Sequence, residues 1–246
     1  MILSFSVTTL LQHLLFVFLL IIAPAWDYYD TRRLQRSPDS PNRIRYYRTV
    51  CSWLWICAIL ACGLVEFRSI FTISPAPEEA GWLFRNIWVF YAVGAVIALF
   101  VATIVLPYVT VAWMVITRKQ RKYSSGEMLQ KVSYAYLFPT NRRERRWWVL
   151  VALTAGICEE ILFRGFLLHY LHTSPWALSL TAALLLSSVI FGLQHLYQKA
   201  VGVITTTIVG AIFGLLFLLS GNLLFPIAFH AALDLRLLVS LRPPTE

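Results

Sequence analysis

Apolar positions along this chain fall in long runs, not in the alternation of a half-buried strand or the narrow stripe of a soluble helix. Seven such runs are legible, at roughly 3–25, 50–67, 87–116, 147–171, 177–196, 201–219 and 223–241. An α-helix needs about 20 apolar residues to cross the hydrocarbon core of a bilayer. A buried soluble helix would account for one run, but not for a series of them in 246 residues. The pattern predicts an all-α, polytopic transmembrane helix bundle of about seven spans. The third run is long and contains Pro107, which predicts a kink or a projection beyond the bilayer. Gly210 and Gly214, in "GAIFG" of the sixth, suit close helix packing.

The polar segments between the runs set the expected orientation. Residues 27–48 read as a loop carrying Arg32, Arg33, Arg36, Arg43, Arg45 and Arg48, and the loop 118–146 holds nine Lys or Arg. The loop 68–86 balances Arg68 and Arg85 with Glu78 and Glu79. Positively charged loops stay cytoplasmic, so the N-terminus is expected outside and the C-terminus, with Arg236 and Arg242, inside. The stretch "SSGEMLQKVSYAYLFP" reads as a short interfacial helix, and Trp147 with Trp148 as a headgroup belt. The expected organisation is N-terminal membrane helices with basic cytoplasmic loops over 1–146, a C-terminal helix core over 147–241, and a short tail over 242–246.

Composition supports a membrane setting: 59% of residues are hydrophobic and 13% charged, against about 25% charged in soluble domains. The net charge of +9 would suggest nucleic acid in a soluble protein. Here it sits in two loops, where it acts as a topology signal and attracts anionic lipid headgroups, so no nucleic-acid partner is expected. Cys51, Cys57, Cys62 and Cys158 show no C-x-x-C spacing and lie in apolar segments, which suits packing. The N-terminal run ends in "APA" before Trp26, as a signal peptide would. It lacks a basic n-region and is longer than a typical h-region, so it reads as a retained first span.

Against this background a few polar residues stand out, because an ionisable group at the bilayer centre costs about 2.5–3.5 kcal/mol on insertion scales. "ICEEILFRGF" places Glu159, Glu160 and Arg164 within the fourth run. Glu160 and Arg164 are four apart and can pair on one helix face. Glu159 is rotated by about 100° and faces elsewhere. His195 ends the fifth run in "FGLQHL", and His230 and Asp234 share a face of the seventh. Two imidazoles and two carboxylates can activate a water and stabilise an oxyanion, or hold a divalent metal such as zinc. His13, His169, His172, Ser187 and Ser188 show no diagnostic spacing. H-E-x-x-H and G-x-S-x-G are both missing.

The order Glu159-Glu160…Arg164, Phe191…His195, His230…Asp234 resembles the CPBP family, the CAAX-protease and bacteriocin-processing (Abi) proteins. The resemblance covers about 147–241. It implies an intramembrane endopeptidase, multi-pass in the inner (cytoplasmic) membrane, acting on a membrane-associated peptide or protein. It further implies that Glu159 is the general base assisted by His195, that His230 and residue 234 bind the carbonyl oxygen, and that Glu160 and Arg164 hold the geometry. Prenyl-protein proteases of the family carry Asn where this chain has Asp234. An ionised aspartate cannot donate to an oxyanion, so Asp234 is either protonated, an orienter of His230, or a metal ligand. The family is commonly labelled metalloprotease, and a metal held by Glu159, His195, His230 and Asp234 stands beside a metal-free mechanism. The family also includes non-enzymatic scaffolds and bacteriocin-immunity proteins. A proton or ion relay is a third reading of buried charges, but no inverted repeat supports it.

Overall fold

Short polar side chains open the helices. Ser6, Asp39, Asn141 and Ser179 each accept a hydrogen bond from the backbone N–H three residues on, which satisfies one of the unpaired donors of a first turn. The computed structural model describes residues 6–73, 81, 86–117, 132–173 and 175–240. Among these the chain is all-α, apart from a single bridge between Thr72 and Asn222.

In chain order the elements are α1 (Val7–Arg36), α2 (Ser40–Leu64), α3 (Phe67–Phe71), α4 (Ile87–Ile116), α5 (142–172), α6 (Leu180–Leu193), α7 (Lys199–Ser220) and α8 (Leu224–Ser240). Short 3₁₀ turns fill Ala135–Leu137 and Leu196–Gln198. Among the described residues four helices are long and apolar enough to cross a membrane, by length and composition: Val7–Arg36, Ser40–Leu64, Ile87–Met114 and Leu196–Ser220. This is consistent with a multi-pass integral membrane protein.

Two prolines change the helices that carry them. Within α1, residues Phe18–Ile22 wind as a π-turn, and the Ala23 N–H bonds back to the Phe18 carbonyl. In that register the Leu19 carbonyl would take its proton from residue 24, but Pro24 has none. The Gln194 side-chain amide donates to Leu19 instead. In α4, Pro107 stays inside one uninterrupted helix and deprives the Thr103 carbonyl of its i+4 donor. Arg236 Nη1 supplies one at 3.1 Å. Each carbonyl freed by a proline is thus met by a side chain from the C-terminal part of the chain.

The segment expected as an arginine-rich loop over 27–48 is mostly helix: α1 runs to Arg36, and α2 starts at Ser40. A tight corner suffices because the arginines are spent on contacts. Arg43 donates to Glu144 at 2.9 Å, to the Tyr136 carbonyl at 3.0 Å and to the Pro38 carbonyl at 2.8 Å. Glu144, fully buried at the start of α5, also accepts from the Thr140 N–H at 2.7 Å and from Asn141 at 2.8 Å. Burial by itself would push this carboxyl up. The Thr140 N–H, the Ser40 hydroxyl and the Arg43 guanidinium outweigh it and hold Glu144 below the ordinary carboxylate range.

Two segments expected at the membrane interface make contacts within the bundle. Of the predicted interfacial helix, residues 124–131 lie outside the described residues, and the remainder packs inward. Leu137 is buried, and its carbonyl accepts from the Tyr47 hydroxyl. Trp148 stands edge-on to Tyr47 and Phe138 and donates to the Asp234 carbonyl at 3.2 Å. It braces α8.

Helix α5 lies at the centre, packed on α2 along one side and α8 along another. Gly156 permits the second contact: a Cβ there would stand 2.7 Å from the Ala231 backbone nitrogen. Helices α6 and α7 approach through Gly192, whose Cβ would collide with Thr207. Cys57 and Cys158 are buried in the apolar core, and all four cysteines are free. His13 packs edge-on to Tyr170, and Ser187 and Ser188 both donate to the Leu184 carbonyl.

Candidate active site in the helix bundle

The acidic pair sits where α5 changes winding. Residues Arg142–Glu160 are α-helical, Ile161–Leu167 form a π-turn, and Leu168–His172 return to α. Single π-turns widen a helix locally and recur at functional sites. Glu160 has no exposed surface and Arg164 is 2% exposed. Arg164 Nη1 reaches Glu160 Oε1 at 3.0 Å, so the pair expected from spacing forms despite the altered turn.

Arg164 is held from every side. Its Nη2 donates to the Gly210 carbonyl at 2.8 Å, and its guanidinium lies 4.4 Å from the Phe191 ring centre. A Cβ on Gly210 would sit 3.1 Å from Nη2 and 3.0 Å from Phe191, so glycine is what lets this carbonyl approach. The sequence marks Gly210 only for helix packing; its carbonyl's role depends on how α7 is placed.

His230 joins the group from α8. Its Nδ1 lies 2.7 Å from Glu160 Oε1. Phe213 stacks on its ring at 5.1 Å, and Phe191 meets it edge-on at 6.0 Å. The Nε2 face is different. Glu159 Oε2 and Asp234 Oδ2 each stand 3.8 Å from it, beyond hydrogen-bond range but converging on one point. Glu159 Oε2 is buried without a hydrogen-bond partner. Of the alternatives for Asp234, orienting the imidazole through Nδ1 is excluded, because Glu160 holds that nitrogen.

His195 follows α6 in a tight turn. Its Nδ1 is 3.1 Å from the Phe191 carbonyl. A carbonyl only accepts, so Nδ1 carries the proton and Nε2 of the neutral ring keeps its lone pair. Among the described residues no hydrogen bond joins His195 to Glu159. Both line one cavity of about 660 Å³, together with His230 and Asp234. Glu160 and Arg164 lie behind this wall. Sequence reasoning did not identify Asp27, Tyr46, Tyr197 and Arg236, which also line the cavity. Asp27 comes from a segment that reads as loop, and no local spacing connects it to residues more than a hundred positions away.

Residues 142–236 match the family model described as Type II CAAX prenyl endopeptidase Rce1-like. They form an Rce1-like segment, which spans well under half of the chain and contains Glu159, Glu160, Arg164, His195, His230 and Asp234. This agrees with the resemblance read from the three motifs. No curated protein and no solved structure matches the chain.

Among the described residues, no group of three or more His, Cys, Asp or Glu side chains is arranged to hold a metal ion. Glu159 Oε2 and Asp234 Oδ2 stand 3.8 Å from His230 Nε2, and with His195 these side chains do not close into a ligand cage. This arrangement does not fit a resident metal.

Proposed function

We propose that the protein is an intramembrane endopeptidase, CAAX-protease-like, that hydrolyses a peptide bond of a membrane-associated protein or peptide. The observation that carries this reading is the division of the two glutamates. Glu160 is fully buried and its Oε1 takes both Arg164 and His230, while Glu159 lines the cavity beside His230 Nε2; each keeps one unpartnered oxygen, and only that of Glu159 belongs to a residue on the cavity wall.

The chemistry follows from those roles. Glu159 takes a proton from a water, whose oxygen attacks the scissile carbonyl carbon. His195, with Nε2 unprotonated, is the second base on the cavity wall and assists. Negative charge develops on the carbonyl oxygen. His230 answers it: Glu160 stabilises the doubly protonated ring through Nδ1, which leaves an Nε2–H donor toward the cavity. Protonated Asp234 would add a second donor. Collapse of the tetrahedral species breaks the C–N bond, and the proton held by Glu159 passes to the leaving amine. Arg164 and Glu160 position His230 and touch no reacting atom. The site lies in a multi-pass protein of the inner (cytoplasmic) membrane, with the basic corners on the cytoplasmic face against anionic lipid.

The test uses the purified full chain in lipid nanodiscs with a membrane-anchored peptide library, cleavage being read by mass spectrometry. Glu159→Gln is isosteric and is expected to insert normally and lose cleavage, as is His195→Ala. Full cleavage by either variant would exclude the assigned roles.

A further inference from the structure

Helix α1 brings two carboxylates to the far side of the cavity. Asp27 Oδ1 accepts from the Tyr46 hydroxyl at 2.8 Å, and Asp27 Oδ2 is buried with no hydrogen-bond partner. Asp30, one turn on, is 9% exposed. Its Oδ1 pairs with Arg45 at 2.8 Å, and its Oδ2 is likewise buried and unpartnered. The guanidinium of Arg45 pairs with Asp30 alone and leaves its own Nε buried without a partner, so neither free carboxylate oxygen is met by it. Buried polar oxygens without partners are rare and point to a missing donor.

The space beside them fits a small donor. Asp27 and Asp30 line a side chamber of about 10 Å³, walled by Phe18, Trp26, Tyr46 and Trp53. That volume admits about one water-sized group, which suits an ammonium and is too small for a planar guanidinium. Aromatic walls favour a cation. Asp27, Tyr46, Val50 and Trp53 belong both to this chamber and to the large cavity that holds Glu159, His195, His230 and Asp234. The two spaces adjoin at these residues, and Asp27 itself lines the large cavity, so a chain lying there has this carboxylate within reach of one long side chain.

We propose that Asp27 and Asp30 form a lysine subsite, which selects substrates with a lysine in the segment flanking the scissile bond. The inference rests on the endopeptidase reading and names a specificity element for that same cavity. It gives helix α1, which lies outside the Rce1-like segment, a part in substrate choice.

The test compares membrane-anchored peptides that differ only by Lys or Met at each position around the cleavage site. Wild-type protein is expected to favour one Lys position in kcat/KM. Asp27→Asn retains the oxygen that Tyr46 bonds, and is expected to lower the Lys-to-Met ratio about tenfold or more, as loss of a charge-assisted hydrogen bond implies. Asp30→Asn provides a second variant, and monodisperse elution reports that each has folded. Binding to the Glu159→Gln protein separates this inference from the catalytic one. A Lys-over-Met preference in Kd that Asp27→Asn abolishes supports the subsite even if wild type cleaves nothing. Equal Kd values for the two peptides, or a Lys-to-Met ratio unmoved by Asp27→Asn, overturns it.

Discussion

His230 Nδ1 and Glu160 Oε1, seventy positions apart in sequence, are 2.7 Å apart in the fold. The same oxygen receives Arg164 at 3.0 Å. Glu160 thus sets the protonation and orientation of the imidazole whose other nitrogen faces Glu159. Glu160→Gln keeps the shape and removes the charge. It is expected to lower kcat by up to about 10²–10³-fold, the range for loss of an oxyanion donor, because His230 loses the charge that keeps its Nε2–H in place, with KM little changed. A parallel loss in peptide affinity would show a binding role instead.

Gly156 sets the distance between α5 and α8 where these residues meet. Gly156→Ala places a methyl 2.7 Å from the Ala231 nitrogen, and the helices must part. A displacement of about 1 Å can cost about 10²-fold in rate. The expected result is a steep loss of kcat with a folded, monodisperse protein. Wild-type turnover would show that the α5–α8 spacing does not govern the site.

Gln194 compensates for Pro24. Gln194→Ala leaves the Leu19 carbonyl unpaired in an apolar setting, which costs about 1–3 kcal/mol. Pro24→Ala restores a backbone N–H, so the Gln194→Ala loss should shrink in that background. A double-mutant cycle of unfolding free energies checks this: additive losses would show that the two residues are independent.

The Arg43–Glu144 pair is buried, and removing either partner is expected to destabilise by about 3–5 kcal/mol. The carboxyl of Glu144 is held below its ordinary value near 4.5. Its contribution is therefore fully present above that value and is lost as pH falls through the lower folded-state value. Wild-type thermal stability should fall on acidification below about pH 4.5 more steeply than that of Glu144→Gln. Identical acid profiles would rule out Glu144 as the source.

Part of the candidate site's geometry was legible locally. The different settings of Glu159 and Glu160 follow from a rotation of about 100° per residue, and the Glu160–Arg164 pair from i,i+4 spacing. The rarity of charge in apolar runs marked His195, His230 and Asp234 as well. Other readings failed where the decisive partner is distant. The arginines of 27–48 look like a solvated loop until Glu144 and Asp30 are brought to Arg43 and Arg45. Nothing local brings Tyr47 and the Asp234 carbonyl to Trp148, or Arg236 to the Thr103 carbonyl that Pro107 frees.

The amino-acid sequence by itself determined that the chain is a helical membrane protein and which polar residues pay for their place in it, because hydropathy and helical period are local properties. Only the tertiary structure decided which nitrogen of His230 each carboxylate meets, that Gly210 lends its carbonyl to Arg164, and that Asp27 of the first helix shares the cavity. Those relationships depend on how helices far apart in the chain are set against one another, and side-chain spacing within a single helix carries no record of that.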